Sequence, residues 1–171
     1  MPDQAVFLLV EDSEDDVLLI RRAFIQARVL NPLAIVKTGE QAIAYLSGYG
    51  RYADRGGYPV PSVVLLDLKM PGMDGFQVLE WIRRQETFKD LRVIILTSSD
   101  LMRDVTKAYE LGADSFLIKP LDFERFVEFS QALSGFWLWS DQVPMGMKEP
   151  LEKAEPEERR DPNLSPGRPR F

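Results

Sequence analysis

The sequence predicts an α/β fold: a doubly wound, five-stranded parallel sheet with helices on both faces. Three observations carry that expectation. Five short apolar runs alternate with stretches of helical periodicity. The runs are continuously apolar, as in strands buried on both faces of a parallel sheet, and do not alternate apolar with polar. No repeat of about 20 to 50 residues breaks the series, which excludes a solenoid or propeller. Right-handed crossovers then bring the carboxyl ends of all five strands to one edge.

The elements follow in order. Ala5–Val10 (AVFLLV) is the first strand and delivers Glu11 and Asp12 to its carboxyl end. Ser13 followed by Asp16 has the spacing of a capping box, opening a helix whose inner face carries Val17, Ile20, Phe24 and Ala27. Asn31-Pro32 stops that helix, and Leu33–Lys37 is the second strand. Thr38 with Gln41 repeats the capping pattern for a helix through Leu46 that Gly48 closes. Ser47–Ser62 is a long loop rich in Gly, Tyr and Pro, read as packed against the domain while offering partner surface.

Val63-Val64-Leu65-Leu66 is the third strand, and it runs into Asp67 and the turn residues of LKMPGMDG. Phe76–Gln85 carries Phe76, Leu79, Trp81 and Ile82 at helical spacing. Arg92–Leu96 is the fourth strand, ending in Thr97-Ser98-Ser99. A helix over about Leu101–Leu111 is closed by Gly112. Ser115–Ile118 is the fifth strand, ending in Lys119-Pro120. The last helix starts near Asp122 and carries Phe123, Phe126, Val127, Leu133 and Trp137. Beyond Asp141 prolines cluster and opposite charges mix, so residues 4–140 are expected to form the domain and 141–171 a disordered tail.

Composition narrows the chemistry. A net charge of −6 with no basic stripe argues against nucleic acid as a partner. There is no cysteine and no histidine, which removes disulfides, thiolate catalysis, His-ligated metals and phosphohistidine on this chain. With no leader and no apolar run of membrane-spanning length, the expected location is the cytoplasm.

What remains is the set that the topology gathers at one edge: Glu11, Asp12, Asp67, Thr97 and Lys119. Any one of them has an ordinary structural use, since an Asp near a turn usually caps a helix and a surface lysine is usually solvated. Together they are harder to explain. Three carboxylates without a counter-charge repel, and a divalent cation resolves the conflict. Oxygen donors without His or Cys select a hard ion such as Mg²⁺, which keeps waters and accepts phosphate oxygens. A lysine and a hydroxyl add donors for phosphoryl oxygens, and a carboxylate is able to form an acyl phosphate.

Glu11-Asp12 after the first strand, Asp67 in LLDLKMPGMDG, Thr97, and Lys119-Pro120 resemble the receiver domain of bacterial two-component response regulators, over roughly Val6 to Trp139. The resemblance implies a flavodoxin-like (CheY-like) sheet of order 2-1-3-4-5. It implies a phosphoprotein rather than a separate enzyme, one that catalyses only its own aspartyl phosphorylation and dephosphorylation. Asp67 is then the phosphoacceptor and Glu11 and Asp12 the acidic pair of the metal site. Mg²⁺ is held by Asp12, Asp67 and the backbone carbonyl of Lys69. Thr97 is the switch hydroxyl, Lys119 the phosphate-pairing cation with a cis bond to Pro120, and Phe116 the switch aromatic. Phe116 lacks a hydroxyl, and Lys69 stands where hydrolytic water approaches, which is expected to lengthen the life of the phosphorylated state.

The loop before the third strand and the closing GFWLW are similar to stand-alone regulators paired with phytochrome-type or hybrid histidine kinases. Output then runs through protein contact, including a homodimer through the fourth helix, fifth strand and fifth helix, with Phe136–Trp139 as a second candidate patch. Neither nucleic acid nor membrane is expected as a partner. The competing readings are a phosphorylation-independent receiver-like scaffold, a haloacid-dehalogenase-type phosphatase and a flavodoxin-like cofactor binder. The phosphatase wants an acid where Lys69 stands, and the acidic Glu11–Asp16 run would repel a cofactor phosphate.

Overall fold

The structure is a computed structural model and describes residues 5–119 and 123–137, with side chains described up to Leu133 in the last helix. Its sheet has five parallel strands: β1 (Phe7–Val10), β2 (Leu33–Val36), β3 (Val63–Leu66), β4 (Arg92–Thr97) and β5 (Ser115–Ile118). They lie in the order β2-β1-β3-β4-β5. Helices α1 (Glu14–Gln26), α2 (Gly39–Ser47), α3 (Gly75–Arg84), α4 (Met102–Glu110) and α5 (Phe123–Trp137) connect and follow them. The predicted α/β sheet with helices on both faces is what forms.

Strand side chains alternate faces, so each apolar run feeds two cores. Leu8, Val10, Val64, Leu66, Val93 and Ile95 pack under α2, α3 and α4 with Tyr45, Leu46, Val78, Leu79 and Ile82. Phe7, Leu9, Val63, Leu65, Ile94 and Leu96 pack under α1 and α5 with Ile20, Ala23, Phe24, Phe126 and Leu133. That division explains why the strands read as continuous apolar runs.

The starts of α1, α2 and α3 match the polar residues that precede them, whereas α4 starts after Leu101 with no side-chain cap. Ser13 accepts the N–H of Asp16, and Thr38 that of Gln41. At α3 the capping box is complete, with Asp74 accepting the Gln77 N–H and the Gln77 side chain accepting the N–H of Asp74. Gly48 ends α2 in the left-handed region at φ 67°. Differences from the expected inner faces are small. Ala23 and Val78 are buried as well, and Ala27 is only partly covered. The expected cis bond at Lys119-Pro120, the Phe136–Trp139 patch and the 141–171 tail lie outside the described residues or side chains.

Candidate functional site

Glu11, Asp67 and Lys119 each stand one step past a strand, where the parallel ladder continues far enough to hold them; Thr97 is the last residue of β4 and Asp12 follows Glu11. The Glu11 N–H donates to the Val36 carbonyl at 3.0 Å, Asp67 to Val10 at 3.1 Å, and Lys119 to Thr97 at 2.7 Å. Glu11, Asp67 and Lys119 therefore continue the strand parity that faces α1 and α5. Thr97 continues the opposite parity, that of Val93 and Ile95. Phe116, paired in register with Ile95, shares it.

Gly75 allows the turn after β3. A Cβ there would lie 2.2 Å from the Asp67 carbonyl oxygen and 2.7 Å from Leu68 Cα, so only glycine lets α3 start this close to the Asp67 backbone.

The carboxylates converge. One oxygen each from Glu11, Asp12 and Asp67 lies within 4.8 Å of the others, with Glu11 and Asp67 buried and Asp12 open to solvent. Lys119 threads between them. Its ammonium lies 3.1 Å from Asp67 Oδ2 and 2.8 Å from Asp16 Oδ2, and it also forms an ion pair with Glu11 Oε2. The other Asp67 oxygen accepts the Lys69 backbone N–H at 3.2 Å, while the Lys69 side chain is exposed. Glu11 Oε1 accepts the Ser13 N–H at 3.1 Å.

Charge is poorly balanced. One ammonium pairs with three carboxylates while Asp12 lies beside two of them, and like charges about 5 Å apart repel by on the order of 3 kcal/mol per pair at an effective dielectric near 20. The strain shows on Glu11. Burial, reinforced by the charge of Asp67, pushes its carboxyl from 4.5 up to about 7, against the hydrogen bond from Lys119. For Lys119, burial alone would lower the ammonium. Hydrogen bonds to Asp16 and Glu11 and the charge of Asp67 instead hold it above the ordinary lysine value, so it stays protonated. A hard divalent cation fits this donor set. Glu11, Asp12 and Asp67 offer only oxygens, and the exposure of Asp12 leaves room for the waters that Mg²⁺ retains.

Thr97 and Phe116 lie beside this cluster rather than in it. The fully buried Thr97 hydroxyl accepts the Ser99 N–H at 3.4 Å, and the Ser99 hydroxyl donates to Asp104 in the first turn of α4. The Phe116 N–H donates to the Tyr109 hydroxyl at 3.1 Å, tying β5 to α4. Asp16 is the site residue that sequence reasoning missed. Its spacing from Ser13 assigned it to a capping box, yet only its backbone N–H serves the cap, and its carboxylate crosses to Lys119.

Comparison with known proteins agrees with this architecture. The profile of the response regulator receiver domain matches residues 7–131. The chain belongs to this family. Rcp1, a response regulator of Synechocystis, is 33% identical over 139 residues, covering 81% of this chain and 92% of Rcp1. The Mn²⁺-bound form of Rcp1 superposes with a TM-score of 0.70 over 82% of this chain and 99% of that one. The phosphorylated cyanobacterial phytochrome response regulator RcpA gives 0.73 at 30% identity, over 82% and 99%. RPA3017, from red light signaling in R. palustris, gives 0.76 at 37% identity, over 82% and 98%. Matched over nearly their full length, these relatives are stand-alone receivers. Receiver domains are signalling domains, and among the described residues no helix is long and apolar enough to cross a membrane.

Proposed function

We propose that this receiver accepts a phosphoryl group from a histidine kinase onto Asp67 and signals through protein contact. The observation that carries the reading is the placement of Asp67. It is buried, shares a pocket with Glu11 and Asp12, and lies 3.1 Å from the Lys119 ammonium. An Asp67 oxygen attacks phosphorus as the phosphorus–nitrogen bond to the donor histidine breaks, which leaves an acyl phosphate on the chain and a neutral imidazole on the kinase.

Glu11, Asp12, Asp67 and the Lys69 carbonyl would hold Mg²⁺, which supplies charge neutralisation for the phosphoryl oxygens when bound. Lys119 pairs with one of those oxygens. Thr97 leaves the Ser99 N–H and turns its hydroxyl toward another. Phe116, on the same sheet face, fills the space that Thr97 vacates, and the α4–β5–α5 surface changes. The chain thus catalyses only its own phosphorylation and dephosphorylation. Likeness to RcpA and RPA3017 supports a phytochrome-type kinase as donor.

The test is labelling by acetyl phosphate, which transfers its phosphoryl group and releases acetate. Intact mass is expected to rise by one phosphoryl group with Mg²⁺ and not without it, and Asp67→Asn is expected to stay unlabelled. A folded wild type that takes no label under these conditions would favour the scaffold reading. Following the decay of the label in the same samples checks the role of Lys69, since Lys69→Ala is expected to lose it faster.

A further inference from the structure

Asp16 sits in the first turn of α1, where Glu14 and Asp15 also lie. An acidic first turn has an ordinary use in favouring the helix N-terminus, and that use asks nothing further of any one residue. The three differ in where their side chains go. Glu14 is solvent-exposed and pairs with Lys37 at the surface. The Asp16 carboxylate reaches Lys119, 103 residues away in sequence, at 2.8 Å.

A lysine ammonium has three protons on a flexible four-carbon stem, and fixing it costs side-chain entropy. Here Glu11, Asp16 and Asp67 surround it. Glu11 and Asp67 arrive from strand ends, whereas Asp16 arrives from the helix on the α1 side. Glu11 and Asp67 also belong to the candidate metal cluster, and Asp16 does not. Of these three described partners, Asp16 is the one whose own carboxylate is altered neither by a cation at Glu11 and Asp67 nor by an acyl phosphate on Asp67.

We propose that Asp16 is a positioning residue that anchors the Lys119 ammonium over the acceptor oxygen of Asp67 before and after phosphoryl transfer. The inference rests on the reading of Asp67 as phosphoacceptor. Without Asp16, one ammonium proton turns to water, and the remaining anchors are the two carboxylates whose charge the cation and the phosphoryl group change.

The experiment measures Mg²⁺-dependent labelling by acetyl phosphate in wild type, Asp16→Asn and Asp16→Ala, at saturating Mg²⁺ and across a Mg²⁺ titration. The ¹H–¹⁵N resonance of the Lys119 ammonium is followed in the same proteins. Asp16→Ala is expected to slow the maximal rate about tenfold, the scale of one hydrogen bond to a charged group, and to broaden the Lys119 resonance by exchange with water. Asp16→Asn keeps an acceptor oxygen and is expected to fall between the two. Half-saturation by Mg²⁺ is expected to stay within about twofold, because Asp16 is outside the metal cluster.

A maximal rate within about twofold of wild type in Asp16→Ala would overturn the proposal. So would a slowing that is recovered at saturating Mg²⁺, which would place Asp16 in metal binding. A wild type that takes no label fails at the earlier step and removes the phosphoacceptor reading together with this one.

Discussion

Glu11 shows how burial and neighbouring charge act on a carboxylate of the candidate site. It is 1% exposed, faces Asp67, Lys119 and the nearby Asp12 and Asp16, and carries a carboxyl raised from 4.5 to about 7. A raised carboxyl binds its proton more tightly in the folded chain than in the unfolded one. Its contribution to stability is thus complete below about pH 4.5 and is lost as pH rises through about 7. Urea unfolding of the metal-free protein is expected to show a fall on the order of 2 kcal/mol across that window. Glu11→Gln is expected to flatten it, and so is Mg²⁺, which stabilises the ionised carboxylate. A slope that is the same in wild type and Glu11→Gln would assign the pH dependence to other groups. The placement of Glu11, Asp67, Thr97 and Lys119 at one edge of the sheet was legible in the sequence because a strand end is a register property: five apolar runs of known direction suffice to bring them there. Asp16 was not, because its destination depends on how α1 lies against β5, which periodicity does not encode.

Among the elements, the Ser47–Ser62 loop shows what composition conceals. Its Tyr52 and Tyr58 join Tyr45 of α2 in a cluster whose rings lie 5.1 to 6.0 Å apart, while Tyr49 is exposed, and the Tyr45 hydroxyl donates to the Pro59 carbonyl. Arg55 is the brace. Its guanidinium donates to the carbonyls of Tyr45 and Leu46 at 2.7 Å and of Tyr58 at 3.1 Å. The first two are carbonyls at the end of α2, where a cation also suits the helix dipole. Gly48 leaves room for it, since a Cβ there would lie 2.7 Å from the guanidinium. Arg55→Ala is expected to cost on the order of 2 kcal/mol in urea unfolding, with Asp67 labelling within about twofold of wild type. A loss of labelling equal to that of a site variant would mean that the loop reaches the site. A packed loop was the expectation from its composition, but nothing periodic in GYGRYADRGGYPVP singles out Arg55 as the brace. Helix starts were readable one residue at a time from Ser13 and Thr38, but the second half of each capping pattern was not. The Asp16 carboxylate went to Lys119, and the Gln41 side chain accepts the Lys37 N–H. A side chain one turn into a helix takes whichever tertiary partner the fold offers.

At the scale of the molecule, the sheet divides the candidate site residues between its two faces. Glu11, Asp67 and Lys119 follow the parity of the α1–α5 core, and Thr97 and Phe116 follow that of the other core. Under the proposed function a change at Asp67 would reach the second face where β4 meets β5, and there Thr97 pairs in register with Ile118. β5 is an outer strand of the sheet, and Ile118 is 45% exposed. Leu101 and Met102, at the start of α4, are 41% and 60% exposed. If Thr97 is the switch hydroxyl, the exposed apolar side chains on the strand opposite it make this face the expected place for phosphorylation to alter self-association. Light scattering is expected to show a larger mass with Mg²⁺ and beryllofluoride than with Mg²⁺ alone. Ile118→Lys, a charge on an outer strand, is expected to weaken that association roughly tenfold or more while Asp67 still takes label from acetyl phosphate. If wild type labels fully but its mass does not change, output runs to a different protein. If Ile118→Lys associates as wild type does, the contact lies on another face. Only when both the mass change and its loss are seen does the path from Asp67 through Thr97 to Ile118 carry the signal out of the sheet.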